Sequence, residues 1–126
     1  MTKKDKDSMF YLLYAMVLID NRVVKVEMDL FFAIIETFLR TTLHTEALTA
    51  KATITNWFMQ NYKTVLSEMR TPVRETHLLK HAEALKAFSH KEHVFAMMKE
   101  IAISDNEYHD DERLLLEKIS KIWELS

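Results

Sequence analysis

The sequence contains no cysteine and no glycine, and Pro72 is its only proline. Average usage would place roughly nine glycines in a chain of this length, many of them in tight turns. Their absence argues against sheets joined by hairpins and predicts an all-helical protein. The lack of cysteine excludes disulfides, thiolate metal sites and cysteine nucleophiles, and it fits a reducing compartment.

The chain also has little net charge and no long apolar run. Its formal charge is -2 and both signs are mixed along the sequence, so we expect no nucleic-acid partner. The longest apolar runs are interrupted by Asp20, Glu36 or Glu100, well short of the about 20 residues that span a bilayer. No cleavage-site pattern follows the charged first residues. We therefore expect a cytoplasmic protein without direct membrane insertion.

Helical periodicity extends over most of the chain, which at 126 residues has the length of one domain. The apolar spacing predicts six or seven helices: about 7–19, about 25–40, one or two within 42–70, about 71–88, about 90–104, and a last one from about 110. Thr71-Pro72 and the capping box Ser89 to Glu92 are typical helix starts. We expect a single domain over 1–126.

The apolar faces predict the core. The first helix should bury one side, with Tyr11 and Tyr14 on the other, and the fifth should bury Val94, Met98, Ile101 and Ala102. The eight methionines are read as packing rather than as an adaptable binding groove, with four named as facing the core: Met16, Met28, Met59 and Met98.

An eight-residue sequence motif, Asp-Asn-x-apolar-x-x-x-Glu, occurs twice, at 20–27 and at 105–112. We call this motif the repeated phrase. Each copy ends one apolar helical run and opens another. Asn21 and Asn106 suit the left-handed turn that must separate two helices. The repeat therefore predicts two similar helical hairpins related by a pseudo-twofold axis and bridged by the middle helices.

The acids of the phrase have a structural and a functional interpretation. In the structural one, Glu27 and Glu112 lie in the first turn of the outgoing helices, where the helix dipole favours an acid, while Val23 and Tyr108 point into the core. In the functional one, the acids and backbone carbonyls hold calcium or magnesium. The predicted ligands are Asp20, Glu27, Asp105 and Glu112, with the extra acids Asp110 and Asp111 favouring the second copy.

The two phrases and the apolar segments before them, 15–20 and 101–105, resemble the TerB-like family of tellurite-resistance proteins. Related domains occur in membrane-anchored J-domain co-chaperones. The family usually has glycine where this chain has Asn21 and Asn106. The resemblance implies an all-helical domain with internal symmetry, acidic clusters proposed to bind metal, a role in stress responses and no enzymatic activity.

Two histidine pairs could also bind metal. His77 and His81 are four residues apart, and His90 and His93 are three apart, which are spacings that can chelate zinc or nickel. Ordinary histidines explain them as well. No nucleophile has an evident base in the sequence, so a small hydrolase is the weakest hypothesis.

The sequence therefore predicts a non-enzymatic cytoplasmic stress-response accessory protein that binds a divalent cation at its acidic turns and acts with an unidentified protein partner. The alternative is a protein-interaction module whose acidic turns are purely structural.

Overall fold

A computed structural model describes residues 1–19, 24–104 and 108–125, and within them the chain is helical with no strand. Six helices occur in these ranges: α1 Lys3–Leu18, α2 Lys25–Thr41, α3 Ala47–Met69, α4 Arg74–Ala84, α5 Lys91–Ala102 and α6 Asp110–Ile122. The all-α class and the number of helices are confirmed. The pseudo-twofold relation of the two terminal hairpins stays a prediction.

Helix α1 lies at the centre of the fold and packs against α2, α3, α4 and α5. All its residues from Ser8 to Leu18 are buried. Tyr11 and Tyr14, predicted for the opposite side from the core, are each only 4% exposed. A helix that is apolar on all sides is stable where neighbours surround it, and the tyrosine hydroxyls need polar partners there.

The outer helices bury one face each, as their periodicity predicts. The predicted face of α5 is fully buried, and in the last segment Leu115, Ile119 and Trp123 are buried while Ile122 is partly buried. Helix α6 packs on α4 and α5. The Trp123 indole N–H donates to the Ala82 carbonyl at 2.7 Å, which attaches the end of α6 to α4.

Helix α3 is a single continuous helix, which resolves the choice between one helix and two. Thr53, a weak helix former, donates its hydroxyl to the Thr49 carbonyl at 2.8 Å and stays within the helix. The prediction that Met59 faces the core is wrong, because its side chain is 66% exposed. Met16 and Met98 are buried, and Met28 is partly buried.

The predicted start of α4 and the predicted cap of α5 are wrong. Helix α4 begins at Arg74, because the Thr71 hydroxyl donates to the Glu68 carbonyl at 2.8 Å and so completes the end of α3. Helix α5 begins after His90 without a side-chain cap, and Ser89 forms no capping box. The capping box in the structure lies at Thr2 and Asp5, at the start of α1.

Within the described ranges, no helix is both long enough and apolar enough to cross a membrane.

Candidate functional site: the acidic turns

Glu27 and Glu112 occupy the same position in their helices. Each is the third residue of its helix, after the extended residues Val24 and His109 respectively, and each is only 1% exposed. Their predicted place in the first helical turn is confirmed. Asp20 and Asp105, with Asn21 and Asn106 of the turns, lie outside the described residues.

Tyr108 does not point into the core. Its side chain is 41% exposed, so that part of the structural interpretation is wrong for the second phrase. Burial raises the pKa of the Tyr108 hydroxyl, with Glu112 and Glu117 acting in the same direction and Arg113 against them. The tyrosine therefore lies partly covered beside the start of α6, in its neutral form. Val23, its counterpart in the first phrase, lies outside the described residues.

Asp110 and Asp111 lie on the surface and are paired with arginines. Asp110 is 3.2 Å from Arg113 on its own helix, and its side chain is 84% exposed. Asp111 is 3.5 Å from Arg74 at the start of α4, and its side chain is 61% exposed. Both carboxylates thus have a protein cation beside them, in addition to water.

Arg74 joins three elements of the fold. One guanidinium nitrogen donates to the Ile19 carbonyl at 2.9 Å, directly after α1, and the other nitrogen pairs with Asp111 of α6. An arginine that donates to a carbonyl at the end of a helix satisfies a group that has no partner within that helix. Lys118 of α6 and Glu75 of α4 form a second link nearby. These residues line a small cleft of about 130 Å³.

No three histidine, aspartate or glutamate side chains in residues 1–19, 24–104 and 108–125 are grouped so that they could hold a metal ion. The four described acids of the predicted ligand set are divided between two environments. Glu27 and Glu112 are buried, whereas Asp110 and Asp111 are exposed beside arginines. The other two predicted ligands, Asp20 and Asp105, lie outside the described residues.

The predicted histidine pairs have contacts with other residues. His77 lies 3.4 Å from Glu68, and His81 shares a 2.9 Å hydrogen bond with Ser8 and stacks on Tyr11. The rings of His90 and His93 both pack against the Phe38 ring in T-shaped contacts, with 6.1 and 5.0 Å between ring centroids respectively. Zinc or nickel bound through Nδ1 of His77 or His81 would have to replace Glu68 or Ser8 there, whereas the ring contacts of His90 and His93 leave their nitrogens unengaged by Phe38.

Ser8 and His81 form a hydroxyl–imidazole pair of the kind that nucleophilic enzymes use, and no local sequence pattern indicates it. Ser8 is only 3% exposed, so a substrate cannot reach its hydroxyl in this structure. Burial lowers the pKa of His81, although Asp7 and Glu68 act in the opposite direction. Tyr11 donates to Glu68 at 2.9 Å beside this pair. The arrangement satisfies polar groups at the interface of α1, α3 and α4.

No sequence pattern marks Arg74 as a residue that joins distant elements. Its partners are distant in sequence, since Ile19 lies 55 positions away from Arg74, and a lone arginine at the start of a helix has no characteristic pattern. The one local sign was an acid-rich helix start at 110–112, which favours a basic neighbour in three dimensions.

No protein-family model, curated protein or solved structure matches this chain. The resemblance to the TerB-like family therefore depends on the repeated phrase and its flanking segments.

Proposed function

We propose that this chain is a non-enzymatic protein-interaction module in which the acids of the repeated turns are structural. The observation that supports this proposal is that Arg74 donates to the Ile19 carbonyl and also pairs with Asp111. An acid paired across helices contributes to their relative position, and an acid buried in the first turn of a helix benefits from the helix dipole. These two roles account for Glu27, Asp111 and Glu112, while Asp110 pairs with Arg113 on its own helix.

The surface offers apolar area to a protein partner. A groove of about 320 Å³ lies between α2 and α5, lined among others by Leu30, Ile34, Phe38 and Met97. Elsewhere Leu48 is 76% exposed. In the groove, Leu30 and Ile34 are partly exposed, whereas Phe38 and Met97 are buried. Apolar side chains that line a groove are typical of interaction surfaces.

A second candidate function is the binding of calcium or magnesium at the turns, by Asp20, Glu27, Asp105 and Glu112. The observation that favours it is the equivalence of Glu27 and Glu112, which are buried to the same extent at the same helical position. Hard cations prefer carboxylate and carbonyl oxygens. With this function, the protein would be the cytoplasmic, tellurite-resistance-like stress accessory that the family resemblance implies.

Calorimetric titration of chelator-treated protein with calcium, magnesium and zinc distinguishes the interaction module from the cation-binding protein. The test variant is Asp105→Asn with Glu112→Gln, and the matched control is Glu83→Gln with Glu92→Gln, which removes two carboxylates that are exposed on α4 and α5. Circular dichroism checks that each variant keeps its helices. If Glu112→Gln prevents folding, Asp105→Asn alone replaces the double variant.

The interaction-module proposal predicts no saturable heat with any of the three ions. It also predicts that the test variant is less stable than the control variant, because Glu112 is buried and the control acids are not. Saturable binding that is lost in the test variant and retained in the control would contradict the structural role. It would support the cation site instead.

A further inference from the structure

A second groove lies between the first turns of α1 and the middle of α3, away from the repeated turns. Its volume is about 650 Å³, and its lining includes Lys3, Lys4, Lys6, Asp7, Trp57 and Gln60. Pockets for small organic ligands have volumes of roughly 300–1,000 Å³ and combine apolar surface with a few polar groups. The size and composition of this groove fit that range.

The rim of the groove carries an excess of positive charge. Three lysines line it beside one carboxylate, that of Asp7, which accepts from the Trp57 indole. The ion pairs found among the described residues do not include these lysines. Lysines in the first turn of a helix gain nothing from the helix dipole, which favours acids there. On a chain with a net charge of -2, these ammonium groups form a local site of attraction for anions.

Trp57 provides a flat apolar surface beside these charges. Its indole N–H donates to Asp7 at 2.9 Å, and its ring meets the buried ring of Phe10 edge-on, with 5.6 Å between centroids. The indole is thus held from two sides while the residue remains only partly buried. A ring that is already held in place loses little conformational freedom when a ligand packs on it.

Amide side chains form the wall on α3. Asn56 and Gln60 are exposed and lie one helical turn apart, so they project on the same face. Each amide both donates and accepts hydrogen bonds. Asn61 is already committed, because it donates to the Trp57 carbonyl at 2.8 Å. Asn56 and Gln60 therefore supply directional contacts to the polar edge of a ring.

The groove between α5 and α6 provides a contrast. It contains Lys99, Arg113 and Lys121 beside Tyr108, but Arg113 is paired with both Asp110 and Glu117. Among residues 1–19, 24–104 and 108–125, the lysines of the α1–α3 groove form no such ion pair.

We propose that the α1–α3 groove binds a small organic anion that carries a flat ring. The ring packs on Trp57 and meets the amides of Asn56 and Gln60, and the phosphate or carboxylate group is held by the lysines. This site is separate from the acidic turns, so the proposal does not depend on which function of the turns is correct.

Two tryptophans make the test specific. In a nitrogen–proton correlation spectrum, the indole N–H of Trp57 reports on the groove, and that of Trp123, which is fully buried and bonded to Ala82, is an internal reference. The probes are adenosine 5′-monophosphate and indole-3-acetate, which present phosphate and carboxylate respectively. Adenosine and inorganic phosphate are the controls, since each supplies half of the required chemistry.

We expect at least one of the two probes to move the Trp57 signal saturably, with a Kd at or below about 1 mM, while the Trp123 signal stays in place. Comparison of the probes shows whether the anion is a phosphate or a carboxylate. Replacing Lys3, Lys4 and Lys6 together by glutamine should weaken binding at least about tenfold, and added salt should weaken it too. The matched control replaces the exposed lysines Lys80, Lys86 and Lys121 by glutamine and should leave the affinity unchanged.

Three results would overturn the proposal. The first is the absence of a saturable shift at Trp57 with both probes. The second is equal binding of adenosine or of phosphate alone, which would show that the ring or the charge is not required. The third is an equal loss of affinity in the two triple variants, which would show that overall charge rather than this groove attracts the probe.

Discussion

Replacing Arg74 by methionine should destabilise the protein mainly through the loss of one hydrogen bond. The Arg74 guanidinium donates to the Ile19 carbonyl at 2.9 Å in partly buried surroundings, and it pairs with Asp111 at 3.5 Å. Methionine keeps a long unbranched side chain, but it has no N–H to donate. The variant therefore removes both contacts while preserving most of the packing.

The exposure of the two partners decides which contact contributes more. A hydrogen bond from a charged donor contributes about 1.5–3 kcal/mol. The Asp111 side chain is 61% exposed, compared with 26% for Arg74, and an ion pair in contact with water contributes about 0–1 kcal/mol. We expect Arg74→Met to lower the free energy of unfolding by about 2–3 kcal/mol, and Asp111→Asn to lower it by less than about 1 kcal/mol.

Urea unfolding followed by circular dichroism measures both variants. With an m value of about 2 kcal/mol per molar urea, the Arg74 variant should unfold at a midpoint about 1 M lower. Arg113→Met is the matched control, because Arg113 pairs with the exposed Asp110 and Glu117 on its own helix, and its midpoint should hardly change. If Asp111→Asn lowers the midpoint as much as Arg74→Met does, the ion pair is the dominant contact and the reasoning is wrong.

Two further variants test the core. Trp123→Phe removes the 2.7 Å bond to the Ala82 carbonyl from a fully buried side chain and should cost about 2–3 kcal/mol in urea unfolding; a loss no larger than that of Trp57→Phe would contradict this. Burial lowers the pKa of His81 below its ordinary value of 6.5, so as pH falls through that value the unfolded chain binds the proton first and stability decreases. His81→Gln should flatten the dependence of the urea midpoint on pH below that value, and an unchanged profile would show that other groups cause the acid sensitivity.

The helices could be predicted because their pattern is local. In α2 the apolar side chains recur at helical spacing, and the helix begins at Lys25 and ends at Thr41, within a residue of the prediction. The start of α4 and the cap of α5 could not be predicted in the same way. A threonine such as Thr71 can cap the helix that follows or donate to the helix before it, and the nearer carbonyl, that of Glu68, decides.

In the acidic turns, too, the local features could be predicted from the sequence and the contacts between helices could not. The place of Glu27 and Glu112 in the first helical turn follows from the repeated phrase, since each lies a fixed number of residues after the turn. The arginine partner of Asp111 does not follow from it, because Arg74 comes from another helix. The basic groove was likewise not predicted, because Trp57 lies 50 positions from its partner Asp7.

The sequence by itself determined that this chain is helical, where most of its helices lie and that its two acidic phrases are alike. Helix formation depends on residues within one or two turns of one another, and that information is contiguous in the chain. Only the tertiary structure decided that α1 is buried on all sides from Ser8 to Leu18, that Met59 faces solvent and that Arg74 joins the ends of three helices. These outcomes depend on which helices pack together, and packing pairs residues from distant parts of the sequence.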